Sequence, residues 1–558
     1  MSKTTAKDAI CQAIQAQGVE YVFGNPGTTE VPLLDALTRF PTVHYVLALH
    51  ESVAGAMADG YARASGRPGV ANVHVTGGLA NSLGMMFNSC RDGVPVVVLA
   101  GQQFTDSLLR EPMLASDLVQ MTEQFTKWSY QVNRADDFPL AMARAFKTAM
   151  QPPQGPVFLA LPKDLLEEEV ESLDYPGGSA GPAYRPRGDR GDIERAAQLL
   201  SEARSPVLLA GPGVVASGAT EELKALAETC ALRVYTYPGI LPWDYSLLCG
   251  GWRPMRQGLQ AALQDADLLV VVGSPLFREF PPVASTVNVP IIHLESNPWE
   301  VGKNYPASLG IVADPKAGLE DLKQAVDRSI GTKAQRDAIR QRRKAIETAN
   351  RDARAGKARE LQAKWGSVPT SAARLVGEMG RMLDPDALIV DEGTRSGTYL
   401  QHFFPFSVPG SYLSSEAGCL GWGLGAALGA KLALPDRQVV AFLGDGSTCY
   451  SLQALWTAAR YQIAVPIIVC RNGVYMAVKS ALSLYGGECT ERGLYDCAEL
   501  VDIDFVALAG SLGVEGRRVV QAGDIKSALE WSLSQNRPTL LEVSVDPQDA
   551  GYGVPRVP

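Results

Sequence analysis

Residues 438–474, QVVAFLGDGSTCYSLQALWTAARYQIAVPIIVCRNGV, constrain the fold more than any other stretch. Residues 439–443 are apolar and end in the turn Gly444-Asp445-Gly446. Helical periodicity follows over about residues 451–461, and a second apolar run, 465–470, ends at Asn472. Two strands with a helix between them form a βαβ unit, so the strands should be parallel. Parallel pairing brings the Gly-Asp-Gly turn and Asn472 together at the carboxyl ends of neighbouring strands. Such ends, beside a helix N-terminus, are where α/β sheets bind phosphates. Asp445 is an oxygen ligand for a hard cation and Asn472 offers a carbonyl oxygen, a set that suits Mg²⁺ in the company of phosphate. Taken alone, the same residues are also consistent with a simple turn.

The rest of the chain repeats this alternation. In residues 1–175 the runs YVFGNPG, HYVLALH, GVANVHVTGG, PVVVLAG and GPVFLALP read as strands, with helices over 52–65 and 139–150. The Gly-, Pro- and Arg-rich residues 174–192 read as a linker. A second block, 190–332, carries PVLLAGPG, ADLLVVVGS and VPIIHLES. Its GPGVVA fits a dinucleotide fingerprint, but the partner acidic residue is not evident, which favours a tight strand–helix turn. Residues 333–367 form a charged connecting helix, and 368–558 a third block. The predicted fold class is therefore α/β, with three doubly wound parallel-sheet domains.

Composition excludes several classes. A net charge of −9 argues against a nucleic-acid or membrane-surface binder. There is no apolar run long enough to span a bilayer, and the N-terminus lacks a signal-peptide core. Nine cysteines without a CxxC pair argue against a disulfide framework or zinc site and for a cytoplasmic setting.

Near the N-terminus, Glu51 follows LALH and precedes SVAGAMADGYARASGRPGV. Its small residues allow very close helix packing, and a first-turn glutamate suits the helix dipole whatever else it does. This run resembles the pyrimidine-binding domain of thiamine-diphosphate (ThDP) decarboxylases and carboligases, and Gly-Asp-Gly with Asn472 resembles their diphosphate site. FGNPGTTEVP, ADGYARAS, AGQQ, KWSY, PQGPV, SLQALWTAARY and IDFVALA are similar to the benzoylformate decarboxylase branch. The resemblance covers essentially the whole chain.

The resemblance implies ThDP and Mg²⁺ as cofactors (Ca²⁺ can stand in), with no flavin. It implies Glu51 as the group that exchanges a proton with the coenzyme's pyrimidine, and His74 and Thr28 as groups that orient substrate and shuttle protons. Asp445, Asn472 and the Val474 carbonyl would hold the metal. Thr394, Arg395, Gly444, Gly446, Ser447, Tyr475 and Met476 would line the diphosphate. Gly418 and Leu420 would wrap the coenzyme, although Leu420 is equally consistent with core packing and His74 with a hydrogen-bonded strand end. Asn25, Phe280, Ala477 and Ala481 would line the substrate pocket. Arg471, Phe280 and Ala481 depart from the pattern of that branch and leave the substrate open. The implied reaction is decarboxylation of a 2-oxo acid to an aldehyde. The alternative is a carboligase or lyase of the acetolactate synthase or 2-hydroxyacyl-CoA lyase kind. The implied assembly is a homodimer at least, and a homotetramer in the fuller expectation, with sites between subunits.

Overall fold

The computed structural model describes residues 3–171, 185–251, 262–276, 287–554 and 556; Phe280 lies outside them. Three parallel six-stranded sheets form the frame. The N-terminal sheet runs His44–Leu47, Tyr21–Asn25, Gly69–Val73, Val96–Gln102, Val157–Pro162, Trp128–Gln131. Counted within its domain, that is the order 2-1-3-4-6-5. The C-terminal sheet runs Tyr412–Leu413, Leu388–Glu392, Val439–Gly444, Pro466–Arg471, Thr539–Ser544, Glu515–Val519, the same order. The central sheet differs, with order 3-2-1-4-5-6 over the strands from Pro206–Ala210 to Leu309–Val312. Among the described strands, only the short Lys3–Thr5 pairs antiparallel, with Glu169–Glu171.

Both outer sheets bury both faces, as parallel sheets with crossover helices must. Every residue of Val96–Gln102 is buried. One core joins Phe23, Ala71 and Val98 of the N-terminal domain to Val390, Ala441 and Val469 of the C-terminal domain. Between the sheets, helix Glu51–Ser65 crosses helix Trp422–Ala433. The small residues noted in the sequence allow this. A Cβ on Gly60 would overlap the Ala426 carbonyl, and one on Gly429 would overlap that of Met57. Trp422 Nε1 donates across the contact to the fully buried Asp59 (2.8 Å), which also accepts from Arg63 Nε (2.6 Å).

In the central domain, GPGVVA is a tight turn. Gly211 N donates to Val272 O (2.9 Å), and a Cβ on Gly213 would stand 2.9 Å from Gly273 Cα, so backbone packs on backbone. The charged helix Lys333–Ala363 opens with a capping box at Thr332 and Gln335. It docks on the central domain through buried Ile346, through Asn350 Nδ2 donating to Ser246 O (2.8 Å), and through Arg342, which donates to the carbonyls of Ala203, Cys230 and Ala231.

Candidate active site

In a 2-1-3-4 sheet the strand order reverses between strands 1 and 3, and the crevice beyond their carboxyl ends is the natural ligand site. In the N-terminal domain those ends are Asn25 and Val73. Asn25 Nδ2 donates to Glu51 Oε1 (3.0 Å), and Asn81 Nδ2 donates to Oε2 (3.0 Å). Glu51 is 6% exposed and is the first residue of its helix. A Cβ on Gly78 would come within 3.0 Å of Oε1, so this glycine leaves room for the carboxylate.

His74 follows Val73 directly. Its Nδ1 lies 2.8 Å from Glu30 Oε2, and a carboxylate can only accept, so Nδ1 carries the proton and Nε2 is left as the exchangeable nitrogen. Glu30, 2% exposed, also accepts from Gly27 N (2.8 Å), Gly101 N (2.8 Å) and Thr29 Oγ1 (2.8 Å). Four donors converge on this one buried carboxyl group, so its acceptor positions are satisfied. A Cβ on Gly27 would overlap the His74 ring. Val75, next in the chain, has φ 38°, a strained conformation for a β-branched residue. The hydroxyl on His74 belongs to Thr29 (3.1 Å), while Thr28 is exposed.

The C-terminal domain builds its crevice from the equivalent strand ends, Glu392 and Gly444. Asp445, 4% exposed, accepts from Gly446 N (2.8 Å) on Oδ1 and from Asn472 N (3.0 Å) and Gly473 N (2.7 Å) on Oδ2. The predicted juxtaposition of Asp445 and Asn472 is therefore present. Burial pushes the Asp445 carboxyl up, against those three hydrogen bonds and the nearby Arg471. Asn472 Oδ1 accepts from Val474 N (3.0 Å). The 473–475 backbone is pinned by Leu500 N on Gly473 O (2.8 Å) and Tyr475 N on Ala498 O (2.7 Å). Ser447 Oγ donates to Glu392 O (2.9 Å), joining the two loops. Thr394 (φ 47°) is exposed, and burial lowers the pKa of Arg395 beside it. Gly446 carries no Cβ because one would lie 2.5 Å from Tyr475 Cε1.

A buried carboxylate whose ionised form is opposed by burial, with amide and backbone carbonyl oxygens within two residues of its partner loop, is a hard oxygen donor set. It fits a divalent cation beside a diphosphate. Gly418 (φ 87°) is exposed, Leu420 is half-buried, and a Cβ on Gly418 would meet nothing within 4 Å. Helix Met476–Tyr485 presents Ala477 and Ala481 exposed. Arg471 pairs with the fully buried Glu542 (3.6 Å), which Arg518 also holds (2.8 Å).

Three domain families match in order. The thiamine pyrophosphate enzyme N-terminal TPP-binding domain covers residues 4–124, the central domain 193–322, and the C-terminal TPP-binding domain 392–543. The chain belongs to the thiamine pyrophosphate enzymes. Among its relatives, benzoylformate decarboxylase of Pseudomonas aeruginosa is 32% identical over 97% of this chain and 98% of its own. A probable acetolactate synthase large subunit of Methanocaldococcus jannaschii is 31% identical over 99% and 93%. A ThDP-dependent 4-hydroxybenzoylformate decarboxylase of Rhodococcus jostii superposes with TM-score 0.83, 30% identical over 97% and 99%. The protein is thus a ThDP-dependent enzyme of the decarboxylase and acetolactate synthase family.

Sequence reasoning missed Glu30, Asn81, Thr29 and Glu392. Glu30 had a signal, a glutamate closing the Asn-Pro-Gly-Thr-Thr turn before a Val-Pro helix start. Asn81 had none, because its role depends on a helix crossing Glu51.

Proposed function

We propose that this enzyme, with ThDP and Mg²⁺, decarboxylates an aromatic 2-oxo acid of the benzoylformate kind to the aldehyde and CO₂. The observation that carries the reading is the pairing at one switch point of two proton-handling groups, each fixed by its own hydrogen-bond partners. Glu51 is held by two amides and His74 by Glu30. Bound ThDP supplies a carbon nucleophile and an electron sink for the bond to the departing CO₂. Asp445, Asn472 and the Val474 carbonyl would hold Mg²⁺, and Thr394, Arg395, Ser447 and the backbone around Tyr475 and Met476 the diphosphate. Glu51 keeps carboxylate lone pairs free beyond its two amide donors, so it can accept and return a proton at that oxygen. His74 Nε2, opposite the nitrogen fixed by Glu30, gives or takes the proton that replaces the carboxylate on the product carbon. The net change is 2-oxo acid anion plus one proton to aldehyde plus CO₂.

Incubation with ThDP, Mg²⁺ and benzoylformate should give CO₂ and benzaldehyde in equal amounts; no CO₂ from any aromatic 2-oxo acid sinks the reading. The second reading, a carboligase or lyase, is favoured by the acetolactate synthase relatives and by small, exposed Ala477 and Ala481, which leave room for a second substrate. Acyloin formation from aldehyde mixtures, without decarboxylation, would select it. Exposed Leu109 (97%), Met113 (84%), Leu484 (90%) and Tyr485 (86%) are the apolar surface that a second copy would cover, supporting a homodimer or homotetramer. Nine free cysteines support a cytoplasmic setting.

A further inference from the structure

Helix Val75–Asp92 carries a stripe of Gly77, Asn81, Gly84 and Asn88, spaced four, three and four residues apart and therefore on one face. Asn81 grips Glu51. Asn88, fully buried, grips the other domain: its Nδ2 donates to Cys419 O (2.9 Å), and its Oδ1 accepts from Cys419 N (3.2 Å). Gly84 faces the same segment, and a Cβ there would stand in ordinary van der Waals contact with the Cys419 side chain, at 3.9 Å. Asp92, at the same helix end, accepts from Ser415 Oγ (2.9 Å) and Glu416 N (3.3 Å).

We propose that Asn88 is a positioning residue for the coenzyme-wrapping segment Gly418-Cys419-Leu420. The proposal rests on the reading that this segment touches ThDP. The geometry is that of a peptide mimic. The N–H of Cys419 and the carbonyl of Gly418 share one trans peptide plane and point opposite ways. Holding that N–H on Asn88 therefore aims the Gly418 carbonyl away from the helix. Holding the Cys419 carbonyl fixes the next plane and with it the height of Leu420. Asp92 anchors the chain two residues earlier, but at Gly418 itself the positive φ and open surroundings supply no side-chain packing, so the hold on Cys419 sets its orientation.

The test is ThDP affinity, read by quenching of tryptophan emission, together with thermal unfolding of the apoprotein. Asn88→Ala should raise the ThDP Kd about tenfold, as loss of a buried two-point hydrogen bond does, with the KM for the 2-oxo acid unchanged. Asn88→Asp keeps the acceptor for the Cys419 N–H but sets an oxygen against the Cys419 carbonyl, so it too should raise the ThDP Kd above that of the parent, and it provides the test if the alanine variant fails to fold. A ThDP Kd in both variants equal to that of the parent, whatever happens to the unfolding temperature, overturns the proposal. Leu420→Ala separates the two claims. If it alone leaves the Kd unchanged, the segment does not touch the coenzyme and the reading beneath the proposal fails. If it weakens binding while both Asn88 variants do not, only the proposal fails.

Discussion

The N- and C-terminal domains share one strand order and place different chemical groups at its strand ends. At the end of strand 1 the first has Asn25 and the loop to Glu30, while the second has Glu392 and the loop to Arg395. At the end of strand 3 the first has the imidazole of His74, and the second the carboxylate of Asp445, an oxygen donor suited to a cation. The helix after strand 2 is Glu51–Ser65 in one domain and Trp422–Ala433 in the other, and these two equivalent helices are the pair that cross. The scaffold fixes where a crevice opens, and a few strand-end side chains set the chemical character of that crevice.

Removing one group from each side should break the comparison in opposite ways. Glu51→Gln keeps a single acceptor oxygen, so one of the two asparagine amides must turn over to meet the new NH2, and the variant cannot exchange a proton as a carboxyl group does. It should lower kcat about 10³-fold and leave ThDP affinity within about twofold. Asp445→Ala should instead abolish saturation with Mg²⁺ and raise the ThDP Kd about 10²-fold, the upper part of the range for perturbed metal sites. Equilibrium binding and steady-state kinetics on the two variants check the split. Equal effects on binding would show that the two crevices do not divide the labour. Glu30→Gln comes next. With no carboxylate to fix Nδ1–H, His74 loses its preferred tautomer, and kcat should fall about tenfold with ThDP binding unchanged.

The sequence showed the two halves unequally, for physical reasons. Val439–Gly444 and Pro466–Arg471 are long, buried and β-branched, so the βαβ unit with Asp445 and Asn472 could be placed from residue pattern. Tyr412–Leu413 has two residues and Glu515–Val519 is largely exposed, and such edge strands lack an apolar run to read. Trp128–Gln131, half-buried at the other sheet's edge, was missed in the same way. Glu51 was found through resemblance, since its local pattern says only that a helix begins. Glu30 and Asn81 come together with His74 and Glu51 only after strands distant in sequence pair. Within the same turn Thr29 points inward onto His74, while Thr28 faces outward.

A substitution in each crossing helix sharpens the comparison at the level of packing. Gly60→Ala and Gly429→Ala each force a methyl into a partner carbonyl in equivalent helices. Each should destabilise the protein by about 1–3 kcal/mol, seen as a lower denaturation midpoint. If one is tolerated, the contact can shift on that side, and the two domains are not mechanically equivalent.

The smallest expected effect concerns how each crossing helix finds a carboxylate for its N-terminus. Glu51 belongs to its own helix. Helix Trp422–Ala433 borrows Glu392 from strand Leu388–Glu392, whose oxygens accept from Trp422 N (3.0 Å) and Gly423 N (3.0 Å). An anion there is favoured by the helix dipole, but burial dominates and, with Asp391 adjacent, pushes the Glu392 carboxyl up to about 7 from an ordinary value of 4.5. The folded chain therefore holds this proton more tightly than the unfolded chain does. Its contribution to stability is fully present below pH 4.5 and is lost as pH rises through about 7. Glu392→Gln keeps one of the two accepting oxygens, a loss that does not vary with pH, and removes the titration. The difference in unfolding free energy between parent and variant should shift against the parent from pH 4.5 to about 7 and stay level above that. Denaturant titrations of both proteins across that range check it. A difference independent of pH would mean that the dipole and the two N–H groups offset burial and keep the Glu392 carboxyl at its ordinary value.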